Sequence, residues 1–158
     1  MKKIVMLLIV SVFQMLLAPG SPKAQQYEYG AGIMLGEPTG LNGKLWWNDN
    51  LAFDAGLAWS FSGGTEVSIH GDVLIHNWNI LREAFGITGG TELPLYYGFG
   101  GRLKAANKSV LGIRFPIGAA LILGDFPFDI FMEIAPIMDV APKTALRGHA
   151  AVGFRFWF

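Results

Sequence analysis

A chain of 158 residues holds one domain and leaves no room for a second once an export segment is removed. Lys and Arg together number 12 and so do Asp and Glu, a balance that leaves no electrostatic footprint for nucleic acid or an acidic surface as partner. The absence of Cys excludes disulfides, thiolate metal sites, a Cys nucleophile and an N-terminal lipoprotein anchor, while 52% hydrophobic against 15% charged residues calls for a generous soluble core or a membrane.

Met1 to Ala24 reads as a signal peptide: Lys2 and Lys3, the apolar run Ile4–Ala18, then the breaker region Pro19, Gly20, Ser21, Pro22. The apolar run is short for a helical span. Ala18 and Gly20 fit the small-residue rule for cleavage, and Ala24 before Gln25 fits its last position. Cleavage after Ala24 gives domains 1–24, signal peptide, and 25–158, barrel, and leaves 9 basic residues (12 − 3) against 12 acidic ones.

From Tyr27 to Leu35 the odd positions are apolar and the even ones Glu28, Gly30, Gly32 and Met34, a period of two that predicts a strand. After the turn Gly36–Thr39, the residues Leu41, Gly43, Leu45 and Trp47 alternate with Asn42, Lys44 and Trp46. Asn48–Asn50 makes a tight turn. Strand three sets Leu51, Phe53, Ala55, Leu57, Trp59 and Phe61 against Ala52, Asp54, Gly56, Ala58 and Ser60. Strand four sets Val67, Ile69, Gly71, Val73 and Ile75 against Ser68, His70, Asp72, Leu74 and His76.

A longer connection, Asn77–Glu92, has one or two helical turns at Ile80–Phe85. Strand five, Leu93–Lys104, opposes Tyr96, Gly98, Gly100, Arg102 and Lys104 to its apolar set. Strand six carries Leu111, Ile113, Phe115, Ile117, Ala119 and Leu121 against Gly112, Arg114, Pro116, Gly118 and Ala120. Strand seven sets Phe128, Ile130, Met132 and Ile134 against Asp129, Phe131, Glu133 and Ala135, with Pro136 and Pro142 bounding its exit. The last strand sets Gly148, Ala150, Val152, Phe154, Phe156 and Phe158 against Arg147, His149, Ala151, Gly153, Arg155 and Trp157.

Eight strands of about the 9 to 11 residues needed to cross a bilayer admit two barrels of opposite polarity. Size decides between them. The mixed face carries charges with many Gly and Ala, which suits the crowded interior of a narrow barrel. The other face is bulky throughout, with aromatics near strand ends at Tyr27, Trp47, Phe61, Phe128 and Phe158. The reading is all-β: an eight-stranded antiparallel up-and-down transmembrane β-barrel.

The ending Ala151–Phe158 resembles the terminal signal of outer-membrane barrels, a glycine followed by alternating aromatic or apolar residues and a C-terminal Phe. The resemblance implies that Gly153, Phe154, Phe156 and Phe158 form an assembly signal read by the barrel assembly machinery. The stretches Leu93–Gly101, Gly112–Gly118 and Phe128–Pro136 resemble a family of small, largely uncharacterised outer-membrane β-barrel proteins. This implies a Gram-negative cell outer membrane as location and outer-membrane lipid as partner.

Candidate chemistry is sparse. Ser68, His70 and Asp72 share one strand face, but side chains projecting in parallel need not aim the His at the Ser, and no oxyanion donors are identifiable. Outer-membrane lipid A deacylases place a His and a Ser two apart on a strand, with the His first. His70, His76 and His149 with Asp72 are the only imidazole-based metal candidates, and His70 and His76 stand about 20 Å apart along one strand. Gly43–Lys44 lacks the first glycine, the Ser or Thr and the helix of a phosphate loop.

What remains is a lumen charge network of Glu28, Lys44, Asp54, Asp72, Arg102, Lys104, Arg114, Asp129, Glu133, Arg147 and Arg155. Near balance of charge points to internal ion pairs filling the lumen, with Arg114 the first candidate partner of Glu133. The expectation is a monomeric barrel in a structural or surface-interaction role, with no enzymatic activity, metal, cofactor or large channel. The alternatives are a small polar-ligand binding or transport barrel and a lipid-modifying enzyme.

Overall fold

The computed structural model describes residues 28–37, 39–60, 66–88, 90–105, 109–123 and 126–158. The signal segment and the aromatics Tyr27 and Phe61 lie outside them. The strands are β1 (Tyr29–Glu37), β2 (Thr39–Trp46), β3 (Leu51–Ser60), β4 (Glu66–Asn77), β5 (Thr91–Glu92), β6 (Leu95–Ala105), β7 (Val110–Arg114), β8 (Ile117–Leu123), β9 (Phe128–Ala141) and β10 (Ala145–Trp157), with one short helix, α1 (Ile80–Phe85).

These segments make eight passes. Each is antiparallel to the next, and β10 pairs with both β9 and β1, closing the barrel. Two passes are interrupted by proline. β6 continues the line of β5 beyond Pro94, and β8 continues β7 beyond Pro116. Proline lacks a ladder donor, but its carbonyl still accepts: Ala120 N–H donates to Pro94 O at 3.1 Å and Gly98 N–H to Pro116 O at 2.9 Å. Strand six of the sequence reading is therefore two segments.

Pro136 likewise does not end strand seven. It faces outward within β9, its carbonyl accepts from Phe115 N–H at 3.0 Å, and pairing with β10 continues to Asp139. An outward position with the carbonyl engaged tolerates the missing N–H, so the strand runs on.

The register measures the barrel. Cα partners followed round from Gly30 are Lys44, Asp54, Asp72, Gly100, Arg114, Ile137 and then Arg147 on β10, whereas Gly30 itself pairs with Trp157. The stagger is thus ten residues (157 − 147). With eight strands at normal spacing this corresponds to a strand tilt of about 40° and a backbone radius of about 8 Å.

Inward and outward sets differ as an inverted barrel requires. Leu41, Leu57, Ile69, Phe99, Ile113, Ile130, Ile134, Val152 and Phe154 are exposed, while Asn42, Lys44, Asp54, Asp72, Arg102, Arg114, Asp129 and Arg155 are buried. A soluble barrel has the opposite polarity, so this is a barrel of the transmembrane type.

Glu28 and Phe158 lie at one rim, with the described residues 47–50, 78–88, 90–94 and 126–127. At the terminal rim Asn48 Oδ1 accepts from Asn50 and Leu51 N–H, both at 2.9 Å, and Asn77 Oδ1 accepts from Asn79 and Ile80 N–H at 3.1 and 3.0 Å. Gly86, at φ 63°, closes α1 in the left-handed conformation.

Candidate functional site: the lumen

Period-two alternation on eight tilted strands brings residues distant in sequence to one axial level, so the lumen is best described in tiers. Nearest the terminal rim is an aromatic tier. Trp46 lies 4.3 Å from the His76 ring, 5.8 Å from Trp78 and 6.2 Å from Trp157, centroid to centroid. Trp78 enters from the long connection and is fixed by Nε1–H donating to Asp49 O at 2.8 Å. Lys44 Nζ sits 4.8 Å from the ring centroids of both Trp46 and Tyr96 and 2.7 Å from His76 Nε2.

Arg155 organises the next tier. Its Nε donates to Asp129 at 3.1 Å, and its Nη1 donates to Asn42 Oδ1 at 3.0 Å and Asp54 Oδ2 at 3.1 Å. The guanidinium carbon lies 4.0 Å from the Phe131 ring centroid. Asp129 also accepts from Trp157 Nε1–H at 2.9 Å, and Asp54 Oδ1 from Asn42 at 2.7 Å. A planar guanidinium with five donors suits this position better than a lysine would.

Arg114 does the same on the other side of the lumen. Its Nε donates to Asp72 Oδ2 at 2.8 Å, its Nη2 to Glu133 Oε1, and Tyr96 OH donates to Glu133 Oε2 at 3.1 Å. Towards the far rim Arg102 donates to Asp139 Oδ1 at 2.6 Å, and Arg147 Nε to Asp139 Oδ2 at 2.7 Å. His149 stands between two guanidinium groups, 3.0 Å from Arg102 Nη1 and 3.4 Å from Arg114 Nη1.

Of the eleven charges assigned to the lumen from sequence, Lys44, Asp54, Asp72, Arg102, Arg114, Asp129, Glu133 and Arg155 are brought together inside. Lys104 is at the far rim, paired with Glu66. Two assignments need correction. Glu28 is exposed at the terminal rim, one residue before β1 begins, where its carbonyl accepts from Trp46 N–H. Arg147 has a side chain 53% exposed, because β10 starts at the mouth of the barrel.

Residues that sequence reasoning left out of the network are Asn42, Tyr96, Asp139, His70, His76 and His149. Asp139 was lost by ending its strand at Pro136; Ile137 and Asp139 against Met138 and Val140 carry the same alternation onward.

The nominal Ser68–His70–Asp72 set does not assemble along its strand. His70 Nε2 instead lies 3.9 Å from Asp54 Oδ1 across the β3–β4 pair, and no hydrogen bond joins Ser68 to His70 among the described residues. The imidazole-based metal candidates also separate: His76 is held by Lys44 and His149 by the two arginines. At the C-terminus Phe154, Phe156 and Phe158 are exposed on the outer wall, and Gly153 is buried against Phe131.

No protein-family model matches the chain, and no curated protein matches it. Among solved structures, the N-terminal β-barrel domain of Pseudomonas aeruginosa OprF is similar, with a TM-score of 0.56 at 10% identity over 83% of this chain and 96% of that one. The similarity is one of fold.

Proposed function

We propose that the protein is a small outer-membrane β-barrel in a structural or surface-interaction role, whose lumen is plugged by its own side chains. The observation that carries this reading is the ion-paired interior: Arg155 with Asp54 and Asp129, Arg114 with Asp72 and Glu133, and Arg102 with Asp139. A backbone cylinder of about 8 Å radius that holds these side chains and a tryptophan tier supports an interior without a continuous aqueous path. The exposed apolar wall supports lipid as its surroundings, and the fold likeness to an OprF barrel domain supports the outer membrane.

In this reading the chain acts as a monomer and performs no catalysis. Gly153, Phe154, Phe156 and Phe158 engage the barrel assembly machinery during biogenesis, and residues 1–24 are removed on export. The test is reconstitution into planar bilayers after membrane fractionation. The protein is expected in the outer-membrane fraction, to migrate differently on gels before and after boiling, and to give no steady single-channel current. Selective, persistent currents overturn the plug; a soluble protein with no heat-dependent shift overturns the membrane reading.

A further inference from the structure

Asp54 and Asp72 are direct cross-strand partners on β3 and β4, both facing the lumen, and His70 is the next inward residue on β4. Like charges placed opposite one another repel. One oxygen of each carboxylate is committed to an arginine: Asp54 Oδ2 to Arg155 and Asp72 Oδ2 to Arg114. Of the others, Asp54 Oδ1 accepts from Asn42 Nδ2 at 2.7 Å and lies 3.9 Å from His70 Nε2, and Asp72 Oδ1 is buried with no hydrogen-bond partner. His70 Nδ1 is buried and unpartnered too, and the residues are 95%, 94% and 97% buried in the order Asp54, His70, Asp72. One ligand atom from each lies within 4.8 Å of the others.

Two guanidinium groups are shared among four carboxylates, since Arg155 pairs with Asp54 and Asp129 and Arg114 with Asp72 and Glu133, while Arg102, the cross-strand neighbour of His70, is paired with Asp139. Lys44 offsets one of these through space, but its amine is turned to His76. The arrangement therefore brings two carboxylates, two unsatisfied polar atoms and an imidazole together in one place.

We propose that Asp54, His70 and Asp72 form a lumenal binding site for a divalent transition metal of the zinc class. An imidazole with two carboxylates is a borderline donor set, with the fourth position left to water. Tetrahedral zinc at normal bond lengths needs donor atoms about 3.3 Å apart, so the three side chains draw in by about 1 Å. The arginine contacts then act as the outer shell that orients ligating carboxylates. An ion here joins β3 to β4 and places a further counter-charge between the two facing carboxylates.

The test titrates ZnCl2 alone into untagged, assembled, chelator-stripped protein in detergent micelles. One saturable equivalent is expected, with at least tenfold weaker binding in His70→Ala and in Asp72→Asn and binding within twofold of wild type in His76→Ala, whose imidazole lies in the aromatic tier and contacts neither outer-shell arginine. Heat-dependent gel migration verifies that each variant is folded. If His70→Ala fails to fold, His70→Gln takes its place. Co2+ added to the wild type reads the site without any variant, through the visible absorption of four-coordinate cobalt. No saturable binding, binding that survives the loss of His70, or a wild-type cobalt spectrum without four-coordinate bands overturns the proposal.

Discussion

Replacing Arg155 by methionine tests the energetics of the lumen most directly. The side chain is 1% exposed, stacks on Phe131 and supplies the ion-pair partner of Asp129 and one donor to Asp54 and Asn42. Methionine keeps most of the volume and removes the charge, so cavity formation contributes little. Asp129 then keeps only Trp157 Nε1–H, and Asp54 keeps Asn42. Removing one partner of a buried pair costs about 3 to 5 kcal/mol, because the remaining charge is uncompensated. For a domain of this size that corresponds to a fall in Tm of roughly 10 to 20 °C. Thermal unfolding in detergent, followed by circular dichroism and by loss of the fast-migrating gel band, measures it. The combined change Arg155→Met, Asp129→Asn, Asp54→Asn is expected to recover part of the loss, since it removes the orphaned charges as well. A single Arg155→Met variant that melts within about 2 °C of wild type, far short of the roughly 10 °C at the lower end of this range, refutes the network as a source of stability.

Glu133→Ala is expected to destabilise less than Arg155→Met, because Arg114 keeps Asp72 at 2.8 Å, while Glu28→Ala at the exposed rim stays within about 0.5 kcal/mol; urea titration in micelles ranks the three. Ile130→Arg places a charge on the exposed outer wall of β9 and is expected to cost about 2 to 4 kcal/mol in lipid vesicles if that position lies near the midplane; an unchanged stability there contradicts a lipid-facing wall. Gly32→Ala is expected to prevent closure between β1 and β10, since an added Cβ would meet Phe154 O at 1.8 Å; normal heat-dependent migration of that variant contradicts the register. Deleting Phe158 is expected to lower assembled protein in cells and to leave folding into micelles intact; equal amounts in cells remove the assembly-signal argument.

The alternation of small or charged with bulky apolar residues carried the barrel, its polarity and most strand limits, because side-chain period and pleat are the same physical fact. It carried the inward parity of Asp54, Asp72, Arg114, Glu133 and Arg155 for the same reason. What it could not carry is which inward residues meet, since that depends on a ten-residue stagger expressed only once the sheet is closed. Asp54 and His70 are 3.9 Å apart though they lie on different strands, whereas Ser68 and His70 share a strand face and do not bond. Prolines misled in both directions: Pro136 sits inside a strand and Pro116 splits one, the difference being whether neighbouring carbonyls and amides find partners around the missing donor.

Glycine placement and the lumenal network are two sides of one packing solution. A Cβ at Gly56 would meet the His70 ring at 2.2 Å, one at Gly100 would meet Asp72 Oδ1 at 2.1 Å, and one at Gly118 would meet the Tyr96 ring at 2.4 Å. The same holds for Gly30 beneath Trp157, at 2.8 Å, and Gly153 beneath Phe131, at 2.2 Å. In each case a large inward side chain lies over a glycine of an adjoining strand. A barrel of about 8 Å backbone radius has no room for large residues facing one another all round, so these bulky or charged side chains stand beside an empty position. The glycines are therefore not loose points in the sheet. They fix where His70, Asp72, Tyr96, Phe131 and Trp157 stand, and through His70 and Asp72 they set the geometry of the cluster these two form with Asp54.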